Sequence, residues 1–329
     1  MQAKIIFTSD MHGFFMPTDY MSREVKAQGL SCLANSFDKD GNTLVVDGGD
    51  TLQGSPFCSK LSELKRDSSL ISKIMNMAGY DFISIGNHDF NYGLENLACY
   101  LNALDAKALC ANISDKEGLL KLCKSSIAVL ENGLRIGLVG VCTHHIVKWE
   151  PRKTLDRLNV LKPFDEIKKE LDNIRDKCDI KVLVYHGGFE CDVDSGERYT
   201  SSDENQAYLF ASELDFDLIL TGHQHFDIIN KSISGTHVVQ VSNNAERYAR
   251  VDISFENGKK SLKSSFVEAA LPPRQDMLEL LGAYENEVQS LLDTPLASLD
   301  TEIEKGEALS RALNGSLLAA FINQVQREE

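Results

Sequence analysis

Five short stretches of this chain each end an apolar run with a turn of glycine, aspartate, asparagine or histidine, and together they constrain the fold most. They are Ser9-Asp-Met-His12, Asp47-Gly-Gly-Asp50, Gly86-Asn-His-Asp89, His186-Gly-Gly188 and Thr221-Gly-His-Gln-His225. The runs before them, Lys4–Ser9, Thr43–Val46, Asp81–Ile85, Lys181–Tyr185 and Leu218–Leu220, read as short buried strands. Helical spacing lies between. After Pro163, a favourable first helical residue, Phe164, Ile167, Leu171 and Ile174 recur at a 3.6-like period up to Cys178. Ser69–Ala78, Leu94–Leu104 and Glu204–Leu214 also read as helices. Strands alternating with helices specify an α/β domain with at least one largely parallel or mixed sheet. In such sheets sites collect beyond the carboxyl ends of the strands, where all five motifs fall.

The residue types in those turns are metal ligands. Asp10 and His12 are two apart, as are His223 and His225, and the period of an extended strand end turns both side chains the same way. Asp50 follows two glycines, which let backbones approach closely and leave its carboxylate exposed. Asn87 and His88 share the next turn, and His186 follows a buried strand. Carboxylate and amide oxygens mixed with imidazole suit manganese, iron or zinc better than magnesium or calcium. Cysteine is missing from every motif, which argues against a structural zinc site. Five of the eight histidines lie in the motifs; His144, His145 and His237 are read as structural or supporting.

Bulk properties narrow the function further. A net charge of −15 argues against a nucleic-acid polymer as partner, since phosphate backbones attract basic surfaces. The eight scattered cysteines form no CxxC pair and read as reduced thiols. Apolar runs fall short of the roughly 18 residues a membrane span needs. Met1–Ser9 carries no basic n-region or cleavage pattern, so a cytoplasmic location is expected, with a trimmed signal peptide left open.

The C-terminal part changes character. From His237 to Phe255 the pattern is β, and Asn257-Gly258 marks a hairpin turn. An amphipathic helix is expected over 275–292, then Pro295, a short strand-like piece and a helix over Leu309–Val325. Thirty-odd residues build no core of their own. The expected organisation is a catalytic domain over 1–270, a linker helix over 271–294, and over 295–329 the truncated beginning of a second domain.

The order DxH, GD, GNHD, H, GHxH resembles that of the calcineurin-like metallophosphoesterases. The strings Gly49-Asp-Thr-Leu-Gln-Gly-Ser-Pro56 and Gly86-Asn-His-Asp-Phe-Asn-Tyr-Gly-Leu94 are similar to those of the 5'-nucleotidase family within it, nearest to 2',3'-cyclic-nucleotide 2'-phosphodiesterase/3'-nucleotidases. The resemblance covers roughly residues 3–270 and implies a four-layer α/β/β/α sandwich that binds two divalent metal ions (Mn, Zn or Fe) and hydrolyses nucleotide phosphate esters. It also implies a C-terminal domain, in the full-length chain, that carries base recognition. Carried onto this sequence, Asp10, His12, Asp50 and His225 would hold one metal, and Asp50, Asn87, His186 and His223 the other. His88 would be the catalytic histidine beside the leaving group.

The 5'-nucleotidases carry aspartate three residues after that histidine, whereas Asn91 stands here, as in the cyclic-phosphodiesterase branch. An amide supplies no negative charge to an imidazole. Either Asp89 or another carboxylate takes that part, or His88 acts mainly as a hydrogen-bond donor. Alternatives are a 5'-nucleotidase or nucleotide-sugar hydrolase, a DNA-processing nuclease of the same superfamily, and a non-catalytic scaffold of this fold. Acidic charge and the Gln-Gly-Ser-Pro string weigh against the nuclease; the complete ligand set weighs against the scaffold.

Overall fold

The computed structural model describes residues 1–63, 68–295, 298 and 315–328. The strands among them are, in chain order, β1 (Gln2–Thr8), β2 (Thr43–Asp47), β3 (Phe82–Ser84), β4 (Lys107–Leu109), β5 (Ile113–Asp115), β6 (Ser125–Val129), β7 (Arg135–Cys142), β8 (Leu158–Val160), β9 (Ile180–His186), β10 (Leu218–Thr221), β11 (Ile228–Ile233), β12 (Thr236–Gln240), β13 (Arg247–Glu256) and β14 (Lys259–Glu268). Two six-stranded sheets form, in the orders β14-β13-β1-β2-β3-β4 and β11-β12-β10-β9-β7-β6. β1 to β4 run parallel in the first, and β7, β9, β10 and β12 in the second; antiparallel strands occupy the remaining edges.

The parallel strands are apolar on both faces because both faces are covered. Along β1, Ile5 and Phe7 enter the core between the sheets while Ile6 enters the core beneath the helices. β9 repeats this, with Val182 and Val184 inward and Leu183 and Tyr185 outward. Helices Ser69–Ala78, Leu94–Asn102 and Gln275–Leu292 cover the first sheet through residues such as Ile74, Leu97, Met277 and Leu281. Pro163–Ile174 and Ala207–Glu213 cover the second through Ile167, Leu171 and Phe210. The layers are therefore α/β/β/α. Each fully buried aliphatic or aromatic side chain contributes roughly 1.5–3 kcal/mol relative to exposure.

Most expected elements stand within a residue or two of their predicted bounds. Asn257 and Gly258, with φ of 51° and 76°, turn β13 into β14 in unbroken register from Arg247↔Glu268 to Glu256↔Lys259. β7 escaped the sequence reading, because glycines interrupt its apolar run. Gly140 is there for packing: a Cβ on it would stand 2.3 Å from Leu109 Cβ. The helix expected from Glu204 starts only at Ala207, since Asn205 is drawn away to accept a bond from Gly188 N at 2.7 Å and Glu204 faces His223.

One compact unit spans Met1–Gln289 and a second Ser290–Glu329. Most of the helix read as a linker thus lies within the first unit, where Met277, Leu281 and Val288 join its core. Within the second unit, Leu317–Glu328 is helical; Leu309–Asn314 and nearly all of the strand-like piece lie outside the described residues. All eight cysteines are free thiols. Among the described residues no helix is long and apolar enough to cross a membrane.

Candidate metal centre

The parallel strands of both sheets end at one edge of the sandwich, and the five motifs follow β1, β2, β3, β9 and β10. Backbone bonds lock the turns together. Asp10 N donates to Gly49 O and His12 N to Asp50 O, both at 2.9 Å, while His223 N reaches the Asp10 carboxylate at 2.9 and 3.1 Å. Asp10, His12, Asp50, His223 and His225 all have positive φ, between 50° and 72°. Non-glycine residues adopt that region rarely and at a cost, and such strain collects at functional sites. This corrects the extended-strand account of the DxH and HxH pairs: their side chains converge through left-handed turns beyond the strand ends. Two glycines make room for this crowding. A Cβ on Gly86 would lie 2.1 Å from Asp50 Oδ1, and one on Gly222 2.3 Å from Asp10 Oδ2.

The predicted ligands come together in two groups. Asp10, His12 and His225 offer ligand atoms within 4.8 Å of one another, and so do Asp50, His186 and His223. Asn87 joins the second group, its Oδ1 lying 3.1 Å from His186 Nε2.

Proton accounting tests whether cations fit. His186 Nδ1 donates to Gly48 O at 2.9 Å, so the neutral ring carries a lone pair on Nε2. That nitrogen faces two acceptors, Asn87 Oδ1 and Asp50 Oδ2, each at 3.1 Å. His12 Nδ1 donates to Gln53 O at 2.6 Å, which turns its Nε2 lone pair towards His225 Nε2, 3.0 Å away. His223 Nε2 donates to Glu204 Oε1 at 2.9 Å, leaving Nδ1 free for the site. Asp50 Oδ2 is buried without a hydrogen-bond partner. Converging lone pairs around an orphaned buried carboxylate oxygen are costly by themselves and are what divalent cations satisfy. The donor set fits two of them.

Without cations, a proton on His186 Nε2 takes their place beside Asp50 Oδ2. Burial lowers the His186 imidazole, yet the Asp50 charge, with Asp10 behind it, pushes it up to about 10. Burial raises the Asp50 carboxyl, but His186, His12 and His88 more than offset this and hold it below the usual carboxylate range. Asp10 is likewise lowered: burial opposes its charge, and His225 and His186 overcome it. Cations coordinated there would favour the same ionised carboxylates and release the imidazole proton.

His88 sits at the rim, its ring centroid 5.4 Å from that of His12, and its backbone N donates to Asp50 Oδ1 at 2.7 Å. Of the alternatives left open for His88, a pairing with Asp89 does not form. Asp89 Oδ1 accepts from Thr51 N and Leu52 N, and Oδ2 from Asp50 N and Gly86 N, at 2.8–3.0 Å. Its carboxylate is thus consumed in tying the second and third motifs together, a positioning task. Asp89→Ala would strand four buried amides and is expected to cost about 3–5 kcal/mol, read as a lower urea midpoint. His88 Nδ1 instead meets Asn91 Oδ1 at 2.8 Å, and Asn91 Nδ2 donates to Glu150 Oε1 at 2.7 Å.

Glu150 and Glu204 were missed by the sequence reading, since neither belongs to a spacing motif. His144 and His145 bond Asp203 at 3.2 and 2.8 Å, where Lys162 and Lys148 already supply positive charge, and His237 Nε2 bonds Ser264 Oγ at 2.8 Å.

Comparison with known proteins places this arrangement. The family model for the calcineurin-like phosphoesterases matches residues 3–227. The chain is 26% identical over 294 residues to the trifunctional nucleotide phosphoesterase protein YfkN of Bacillus subtilis, covering 79% of this chain and 20% of that protein. It is 28% identical over 240 residues to a 2',3'-cyclic-nucleotide 2'-phosphodiesterase/3'-nucleotidase of Salmonella typhimurium, covering 68% and 36%. A Staphylococcus aureus structure solved with alpha-ketoglutarate, provisionally described as a 5'-nucleotidase, superposes with a TM-score of 0.84 at 28% identity, covering 94% of this chain and 62% of that one. The chain therefore spans only part of the length of these relatives. With the matched segment covering all five motifs, the chain belongs to the calcineurin-like phosphoesterase family.

Proposed function

We propose that this chain is the catalytic part of a dinuclear metal-dependent phosphoesterase acting on nucleotide phosphate esters, most closely a 2',3'-cyclic-nucleotide 2'-phosphodiesterase/3'-nucleotidase. The observation that carries the reading is the gathering of Asp10, His12 and His225 in one group and of Asp50, His186 and His223, with Asn87, in another, Asp50 Oδ2 being buried without a hydrogen-bond partner and His88 lying at the rim. Asp10, His12, Asp50 and His225 would hold one cation; Asp50, Asn87, His186 and His223 would hold the other. Manganese, zinc and iron all suit these donors. When bound, the pair supplies Lewis acidity towards the phosphoryl oxygens and lowers the pKa of the attacking water.

The chain's own groups do the rest. Gly48 O and Gln53 O fix the tautomers of His186 and His12, and Glu204 fixes that of His223. Asp50 Oδ1 anchors the His88 backbone, so the shared carboxylate also sets the position of the group facing the leaving oxygen. Asn91 beside His88 Nδ1 favours the cyclic-phosphodiesterase reading over the second one, a 5'-nucleotidase or nucleotide-sugar hydrolase. The proposal extends to a C-terminal domain that recognises the nucleotide, in keeping with relatives that are longer than this chain.

Release of p-nitrophenol from bis(p-nitrophenyl) phosphate, with and without Mn²⁺, tests the chemistry. Turnover is expected with the metal, lost on chelation and regained on readdition; metal binding without turnover would favour a scaffold. On the full-length protein, 2',3'-cyclic AMP and 3'-AMP should be preferred to 5'-AMP. The reverse preference would promote the second reading.

A further inference from the structure

Asn91 leaves His88 without the direct carboxylate partner that an imidazole acting on a leaving group ordinarily uses. The geometry supplies one at a distance. Glu150, only 7% exposed, accepts from Asn91 Nδ2 at 2.7 Å, and Asn91 Oδ1 lies 2.8 Å from His88 Nδ1. We propose that Glu150 is a positioning residue which, through Asn91, fixes the proton on His88 Nδ1 and reserves Nε2 for the substrate.

The two ends of a carboxamide are nearly the same size, so an unsupported asparagine presents either oxygen or NH₂ to the ring. An ionised carboxylate only accepts. With Glu150 ionised the NH₂ must face Glu150, the oxygen must face His88, and Nδ1 must carry hydrogen. A flipped amide would aim its NH₂ at the ring and repel the protonated form.

This matters at one step, and the inference rests on the phosphoesterase reading for it. As the bond between phosphorus and the leaving oxygen breaks, its electron pair stays on that oxygen, which takes the Nε2 proton. The ring is left neutral with its Nδ1 hydrogen still bonded to Asn91. Glu150 touches neither substrate nor metal ligand in this scheme; it holds the amide that holds the ring.

Glu150→Gln tests the idea, because glutamine donates as well as accepts and frees Asn91 to turn. Long-range ¹H–¹⁵N spectra of the zinc-loaded chain, recorded where His88 is neutral, should show the Nδ1–H tautomer alone in the wild type and both tautomers in the variant. In parallel, kcat for a phenyl phosphodiester should fall about 10-fold, a fraction of the 10²–10⁴ that proton transfer contributes. With p-nitrophenolate, a good leaving group, the fall should be smaller, and KM should hold in both cases. Adding Asn91→Asp to Glu150→Gln places a carboxylate directly on Nδ1 and should restore the phenyl rate. An unchanged His88 spectrum, or equal losses on both substrates without rescue, would overturn the proposal. Should the wild type hydrolyse neither ester, the phosphoesterase reading falls while the spectra still decide the role of Glu150.

Discussion

The Asp50→Asn variant is expected to lose both metal ions and at least roughly 10³-fold in turnover, since Lewis-acid stabilisation by each cation is worth several kcal/mol. Asp50 is the one carboxylate proposed for both ligand sets. Its Oδ1 accepts from His88 N, while Oδ2 is buried, without a hydrogen-bond partner, and 3.1 Å from His186 Nε2. An amide there either aims NH₂ at the His186 lone pair or offers a neutral oxygen to a cation; neither replaces the charge. The principal group pushing His186 up to about 10 also disappears. The turn itself should survive, because Asp89 grips the backbone N of residue 50 and not its side chain. Elemental analysis of dialysed protein checks this: two ions per wild-type chain and close to none in the variant, with an unchanged far-UV spectrum. A variant that keeps one ion at full affinity would show that Asp50 is not shared.

The second large effect separates chemistry from metal binding. His88→Ala is expected to retain both ions and lose about 10²–10⁴ in turnover, the range that a positioned proton donor contributes. The ring of His88 belongs to neither ligand group, and its hydrogen bond to Asp50 is made by the backbone N, which alanine preserves. The loss should fall mainly on kcat and grow as the leaving group becomes more basic. Near wild-type rates with both metals present would remove His88 from the reaction.

These predictions draw on residues that were legible in the sequence for a local reason. Each motif lies within a few residues of a strand end, so its apolar run, turn and ligand types can be read in one window. Alternation of strand and helix then fixed the sheet edge at which they meet. What could not be read was either conformational or remote. Of the five ligands with left-handed backbone, the four in the DxH and HxH pairs are expected to converge by the pleat of a strand and not by the turns that bring them together. β7, next to the edge strand of the second sheet, is hidden because a position such as Gly140 is chosen for the close approach of Leu109, which no local pattern reveals.

The supporting carboxylates are the remote case. Glu204 lies 19 residues from His223 and Glu150 lies 59 from Asn91, so no spacing announces either. Glu204 was even counted as the start of a helix, although the tertiary contact removes it from one. Asp89 is the opposite case. Adjacent to His88 in sequence, it spends both oxygens on the backbone of other residues.

That seven side chains from five strand ends form one two-cation site can be checked by anomalous diffraction from manganese-soaked crystals of this chain. Two peaks are predicted, one among Asp10, His12, Asp50 and His225 and one among Asp50, Asn87, His186 and His223. A single peak, none at these residues, or density instead at His144, His145 and Asp203 would contradict it.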